Sequence, residues 1–194
     1  MSKKLYVAYG SNLNIAQMRY RCPTATLCGT GTLENYELQF KGFSNSAFAT
    51  ISQKEGSSVP IAVWEINPSD EKSLDRYEGY PNHYYKEDVS VKIGDSEVDA
   101  MVYIMNPKMR FGLPSITYYD TVMQGYKDCG LDKTFLETAL KESTQAYYNF
   151  AVEQSQQISL YDFNDEDEDE FEEEQEIDES NINDPFYFSD DLKM

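Results

Sequence analysis

The chain has 194 residues, an apolar share of 40% and a net charge of −19 that is concentrated at one end. Residues 161–194 hold sixteen acids and one lysine, whereas residues 1–160 hold nineteen acids and fifteen bases, a net charge of −4. This balance excludes a basic nucleic-acid surface. No apolar run is long enough for a membrane span, and the N-terminus is unlike a signal peptide. We therefore expect a cytoplasmic protein.

The first predicted element is a strand, KLYVAYG, which ends in a glycine followed by Ser11 and Asn12. Apolar residues that lead into a glycine with small polar neighbours are typical of a buried strand entering a tight turn. A short helix follows in LNIAQMRYRCP, where Asn14 and Gln17 have the spacing of a capping box and Pro23 ends the segment.

The turn at Gly10, Ser11 and Asn12 places backbone N–H groups and two side-chain donors just ahead of a helix. Free amides and the positive end of a helix attract an anion, and Gly10 allows a ligand to approach the backbone closely. A tight connection that holds only water explains the same residues equally well, because the loop lacks the repeated glycines and the lysine of common phosphate-binding motifs.

Mainly extended segments occupy the next forty residues: ATLCGTGTL, YELQF, FATIS and PIAVWEI. A helix, PSDEKSLDRYEG, begins at Pro68 and ends at Gly79. Two strands, YKEDVSVKI and VDAMVYIM, and two helices, SITYYDTVMQGYKDCG and KTFLETALKESTQAYYNF, complete the pattern. Clustered strands with inserted and appended helices predict an α+β fold that is built on a closed or nearly closed barrel.

The chain becomes strongly acidic beyond about Gln156, with the run NDEDEDEFEEEQEIDES. Such a run cannot bury enough apolar surface to offset the entropy lost on ordering. We therefore expect a folded domain over residues 1–156 and a disordered acidic tail over residues 157–194. The aromatic end of the tail, NINDPFYFSDDL, is a candidate docking peptide for a protein partner.

Glu78 in the segment LDRYEGYP is the candidate for acid–base chemistry. A carboxylate at the end of a helix faces the negative end of the helix dipole. Nearby tyrosines could also shield it from water, and both influences would raise its pKa toward the range of a useful general base; these are Tyr77, Tyr80, Tyr84 and Tyr85. A solvated glutamate near a helix cap is the ordinary alternative.

Other reactive side chains have structural interpretations. One histidine, His83, excludes a His-rich metal site, and three cysteines without a CxxC pair indicate reduced thiols that behave as buried hydrophobic residues. Aromatic residues of the predicted strands are expected in the core or the barrel lining; they are Tyr6, Phe40, Phe48, Trp64 and Tyr103. Arg19 and Arg21 could attract an acidic substrate, although a solvated helix face is the favoured interpretation.

Three motifs occur in the order seen in γ-glutamylcyclotransferases: YGSNL after the first strand, LDRYEG, and PSITYYDTVMQGYKDCGL. The chain resembles this family over roughly residues 4–140. The resemblance implies a small mixed barrel with flanking helices and a reaction that needs no cofactor or metal. It also implies that Glu78 is catalytic and that the γ-glutamyl group is bound by Tyr9, Gly10, Ser11, Asn12, Leu13 and Tyr118.

The implied reaction cyclises a γ-glutamyl group to 5-oxoproline and releases an amine or amino acid. Two alternatives stay open: a catalytically silent protein that binds a small anionic metabolite, and a module that acts on a protein partner through its tail. The carboxylate of Glu78 favours the enzyme over the silent binding protein, because a protein that only binds an acidic metabolite gains little from a carboxylate in its site.

Overall fold

A computed structural model describes residues 3–43 and 46–162. The strands are β1 (Lys4–Ala8), β2 (Thr26–Phe43), β3 (Ser46–Ile66), β4 (Tyr84–Ile93), β5 (Ser96–Met105) and β6 (Arg110–Phe111). The helices are α1 (Ile15–Arg21), α2 (Pro68–Glu78), α3 (Ile116–Asp128) and α4 (Thr134–Asp162), and a 3₁₀ turn (Ser11–Leu13) lies between β1 and α1.

Five of the strands close into a barrel. β3 pairs antiparallel with both β1 and β2, β1 pairs parallel with β5, and β5 pairs antiparallel with β4. The barrel closes where β4 pairs with β2, at Thr32 and Lys92. The short strand β6 pairs antiparallel with the C-terminal end of β2. A Cβ at Gly31 would overlap the carbonyl oxygen of Lys92, so glycine permits this close crossing. The predicted α+β mixed barrel with flanking helices is confirmed.

The four short extended segments predicted between residues 25 and 66 are in fact two long strands. β2 and β3 pair along nearly their whole length, with two register shifts. At the first, β2 has one extra residue between Leu27 and Gly29. At the second, four residues of β3, 54–57, lie opposite the single residue Asn35 of β2. Asn35, at the second shift, has a φ of 62°. A bulge bends and twists a strand without ending its pairing. The turn-like residues in this region therefore mark bulges rather than strand ends.

Helix α2 has the boundaries that its sequence predicts. Asn67 and Asp70 form a capping box, and Pro68 occupies the first turn. At the other end, Gly79 adopts the left-handed conformation, with φ 62° and ψ 35°. These signals make Glu78 the last helical residue and fix the direction in which its side chain leaves the helix.

Helix α3 packs directly on the 3₁₀ turn. A Cβ at Gly125 would lie 2.5 Å from the Cβ of Leu13 and 2.6 Å from the backbone nitrogen of Asn14. Leu13 is fully buried, as is Val122 on the same helix. The absence of a side chain at Gly125 therefore determines how closely α3 approaches the turn after β1.

The chain divides into two compact units at Ser155 and Gln156. The first contains the barrel and the helices packed on it. Helix α4 continues to Asp162, past the predicted end at Phe150, because residues 151–162 contain no proline or glycine to stop it. The rest of the predicted acidic tail lies outside the described residues, and the domain boundary at residue 156 stays a prediction. No helix in the described part of the chain is long and apolar enough to cross a membrane.

Candidate active site

The turn after β1 meets the end of α2 at a hydrogen bond between Asn12 and Glu78. The amide Nδ2 of Asn12 donates to the carboxylate Oε1 of Glu78 at 2.8 Å and to the hydroxyl of Tyr6 at 2.8 Å. Asn12 is only 3% exposed. The fold thus joins two predicted site residues that lie 66 positions apart in the chain.

A small cavity of about 20 Å³ surrounds this contact, which is room for roughly one water molecule. The turn after β1 forms one side, and five tyrosines, an alanine and Glu78 form the rest. The lining residues are Tyr6, Tyr9, Gly10, Ser11, Asn12, Ala49, Glu78, Tyr84, Tyr103 and Tyr118.

The tyrosines around the cavity are held in place through their hydroxyl groups. Burial raises the pKa of each lining tyrosine above 10, so all five are neutral at physiological pH. The tyrosines around the cavity are therefore neutral, and Glu78 is the one acidic side chain among the lining residues. The bonds run from Tyr9 to the Tyr103 carbonyl (2.6 Å), from Tyr84 to the Ala49 carbonyl (3.0 Å), from Tyr103 to Asp75 (2.6 Å) and from the Ala49 N–H to Tyr118 (3.0 Å).

Burial raises the pKa of Glu78 from an ordinary value of 4.5 to about 7. The positive charge of Arg21 and the hydrogen bond from Asn12 both favour the ionised form, but they do not offset the cost of desolvation. The side chain as a whole is partly exposed, because the cavity opens toward solvent on one side. Glu78 is therefore a partly exposed carboxyl group whose raised pKa lies near neutral pH.

The four tyrosines expected to shield Glu78 do not all do so. Tyr84 lines the cavity, and Tyr77 lies at its edge, where its hydroxyl is 3.0 Å from Ser11 Oγ. The ammonium group of Lys86 lies over the ring of Tyr80, and Tyr85 faces a separate groove, so neither tyrosine lines the cavity. Strand alternation explains the split, since Tyr84 and Tyr85 are neighbours that point to opposite faces of β4.

Most of the predicted binding residues come together around Glu78. Tyr9, Gly10, Ser11, Asn12 and Tyr118 all line the cavity, whereas the side chain of Leu13 is buried against α3 and does not. Gly10, at φ −115° and ψ −137°, lines the cavity with its backbone alone. A Cβ would lie 3.2 Å from the Cβ of Ala49 and 3.4 Å from the hydroxyl of Tyr118, narrowing the cavity.

Three residues of the site were assigned other roles from the sequence. Tyr6 and Tyr103 were expected in the core or barrel lining, and they also line the cavity. Arg21 was expected on a solvated face, yet it is partly buried, donates to Asn12 Oδ1 at 2.7 Å and stacks on the ring of Tyr77 at 3.6 Å. One signal was available, because Gln17 and Arg21 are spaced four residues apart and share a helix face.

The expectation that the cysteines are buried hydrophobic residues holds for Cys22 and is wrong for Cys28. Cys28 is exposed because it alternates with Leu27 and lies on the outer face of β2, and Cys129 is partly buried. Phe48, expected in the core or lining, is also exposed. All three cysteines are unpaired, and burial raises the pKa of Cys22 to about 12 and that of Cys129 to about 11. Thiols with such values supply little thiolate at neutral pH. Within residues 3–43 and 46–162, no group of three or more His, Cys, Asp or Glu side chains is placed to hold a metal ion.

The sequence and the fold are similar to those of known γ-glutamyl cyclotransferases. The sequence model of the family described as "Gamma-glutamyl cyclotransferase, AIG2-like" matches residues 6–128, which include the turn after β1, Glu78 and Tyr118. The chain belongs to this family.

Individual relatives agree with the family match. Gamma-glutamylcyclotransferases of Mus musculus and Homo sapiens are 32% and 30% identical to the chain over 143 residues, which cover 69% of this chain and 75% of each relative. A solved gamma-glutamyl cyclotransferase structure, 29% identical, superposes with a TM-score of 0.65 and covers 71% of this chain and 86% of its own. The resemblance noted from the sequence motifs is confirmed at the level of family and fold.

Proposed function

We propose that this protein cyclises a γ-glutamyl group to 5-oxoproline and releases an amine or amino acid, with Glu78 as the general acid and base. The observation that carries the proposal is the position of Glu78, whose carboxylate lies in the cavity, is bound by Asn12 and has a pKa raised to about 7. A group with a pKa near the working pH can both accept and return a proton efficiently. The named relatives at about 30% identity support the same reaction class.

The proposed reaction needs two proton transfers and no water. Ionised Glu78 removes one proton from the α-ammonium group, and the freed nitrogen attacks the γ-carbonyl carbon to close a five-membered ring. The nitrogen gives up a second proton as the C–N bond to the leaving group breaks. Glu78 passes both protons, one after the other, to the departing nitrogen, which leaves as an ammonium ion. Because nucleophile and electrophile belong to one molecule, the protein mainly selects the cyclic conformer and moves protons.

The turn after β1 is proposed to bind the negative charge of the substrate. Leu13 N–H donates to the Gly10 carbonyl at 2.9 Å and Asn14 N–H to the Ser11 carbonyl at 3.1 Å. The N–H groups of Ser11 and Asn12 begin the 3₁₀ turn and so have no acceptor within it. They are suited to the α-carboxylate or to the oxyanion that develops at the γ-carbonyl.

A γ-glutamyl group is larger than the cavity as it stands, so side chains at its edge must separate when substrate binds. The contact we expect to open is the one between Tyr77 and Ser11. Tyr77 is 43% exposed, and its hydroxyl is 3.0 Å from Ser11 Oγ, so it can move without disturbing the core.

The test is a panel of γ-glutamyl amino acids and γ-glutamyl amines, scored for 5-oxoproline. Glu78→Gln is expected to keep the fold and ligand affinity while turnover falls by roughly 10²–10⁴-fold, as is typical of general acid–base groups. Glu55→Gln, at an exposed position of β3, is the matched control and should be as active as the parent. No 5-oxoproline from any compound, with tight binding of a non-cyclising analogue, would instead identify a catalytically silent binding protein.

A further inference from the structure

Among the described residues, Arg21 is the cationic side chain that hydrogen-bonds to the same turn as Glu78. It ends helix α1, and its guanidinium donates to Asn12 Oδ1 at 2.7 Å and to the side-chain oxygen of Gln17, and lies 3.5 Å from Ser11 Oγ. The Tyr77 ring covers the guanidinium at 3.6 Å. Arg21 takes part in none of the ion pairs found among the described residues. Apart from the bond to Gln17 on its own helix, its contacts are with residues at the wall or the edge of the cavity.

The contact with Arg21 determines which way the amide of Asn12 points. An amide has an acceptor at one end and donors at the other, and a guanidinium offers donors only. With Oδ1 bound to Arg21, Nδ2 faces Glu78 and Tyr6, at 2.8 Å from each. If the amide turned over, Oδ1 would face the carboxylate, acceptor against acceptor, and Nδ2 would face the guanidinium, donor against donor. The Tyr6 hydroxyl can donate as well as accept, so only the bonds to Glu78 and Arg21 fix the orientation.

We propose that Arg21 is a positioning residue, which orients the Asn12 amide so that it donates to Glu78 and holds a permanent positive charge beside that carboxylate. Its consequence for turnover rests on the proposed function, whereas its effect on Glu78 does not.

The other groups that face Glu78 are neutral. Asn12 approaches from the turn, and tyrosines approach from β1, α2, β4, β5 and α3; they are Tyr6, Tyr9, Tyr77, Tyr84, Tyr103 and Tyr118. Behind Tyr103, the carboxylate of Asp75 is paired with Lys86 at 2.6 Å. Arg21 is thus the unpaired charge acting on Glu78, and it lowers the pKa that burial raises. Removing it should raise that pKa further.

The decisive experiment measures protonation of Glu78 directly in the free, full-length protein. Carboxyl carbon-13 shifts of labelled glutamates are followed against pH, and the Glu78 signal is assigned by its loss in Glu78→Gln. In Arg21→Met the midpoint should rise by about one pH unit, near the lower end of what an adjacent opposite charge produces. Arg21→Lys keeps the charge and a donor, so its midpoint should stay close to that of the parent. Arg19→Met, at an exposed position on the same helix, is the control.

Enzyme assays then separate the possible outcomes. With the best substrate, the acidic limb of kcat/KM against pH should move upward in Arg21→Met in step with the carbon-13 midpoint, and activity should partly recover at high pH. An unmoved midpoint overturns the proposal, as does a large rise in KM with an unchanged pH profile, which would make Arg21 a substrate ligand. A shifted midpoint in a protein that makes no 5-oxoproline supports the role of Arg21 and defeats the proposed function instead.

Discussion

The raised pKa of Glu78 should make this residue a source of instability at alkaline pH. In the folded protein the carboxyl group titrates at about 7, against an ordinary value of 4.5. Below pH 4.5 it is protonated in both the folded and the unfolded state and has no effect. As the pH rises from 4.5 to 7 the unfolded state ionises first, so stability falls, and above pH 7 the full cost is present.

Glu78→Gln replaces the carboxyl with a neutral group of the same shape and should remove this cost. At 1.36 kcal/mol per pKa unit, the gain at pH 8 is on the order of 3 kcal/mol, and it is less than about 1 kcal/mol at pH 5. For a domain of this length, a gain of that size in the free energy of unfolding raises the melting temperature at pH 8 by roughly 5–10 °C. The inactive variant is therefore expected to be the more stable one above neutral pH.

Thermal unfolding followed by circular dichroism at pH 5 and pH 8 measures both differences without any knowledge of the substrate. Glu55→Gln controls for the loss of one acid from a protein of net charge −19, and its effect should be small at both pH values. Equal shifts for Glu78→Gln at pH 5 and pH 8, or a less stable variant at pH 8, would show that Glu78 is not held neutral by burial.

Three further perturbations test the packing of α3, the turn after β1 and the tail. Gly125→Ala should lower the free energy of unfolding in urea, because overpacking costs about 1–3 kcal/mol and the better helix propensity of alanine returns only about 1 kcal/mol; Lys127→Ala, exposed on the same helix, should not. Gly10→Val should weaken binding of a non-cyclising γ-glutamyl analogue in titration calorimetry, whereas unchanged affinity would leave the turn a structural connection. Truncation after Gln156 should leave melting temperature and turnover nearly unchanged, and a loss of several degrees would contradict the proposed boundary.

Much of the local structure could be predicted because its causes lie within a few residues. Asn67, Pro68 and Gly79 determine where α2 begins and ends, through a cap, a fixed φ and a left-handed residue. The same signals put Glu78 at the end of a helix and Gly10 at the end of a strand. Where local and tertiary causes differ, the prediction of strand ends was wrong. Asn35 is a residue type that favours turns, but pairing with β3 continues on both sides of it, so it lies within one long strand.

The surroundings of Glu78 were decided by tertiary structure alone. Its pKa depends on burial by tyrosines from other strands and helices, and its hydrogen bond comes from Asn12, so nothing in its own segment sets either. The role of Arg21 likewise depends on the position of α1 next to the turn. Helix α3 packs closely on that turn because Gly125 has no side chain. The sequence by itself determined most of the helices and strands, the family and the candidate acid, because short-range geometry and motif order carry that information. Which side chains meet in the cavity, and which proton equilibrium results, depends on contacts between residues far apart in the chain, and only closure of the barrel creates them.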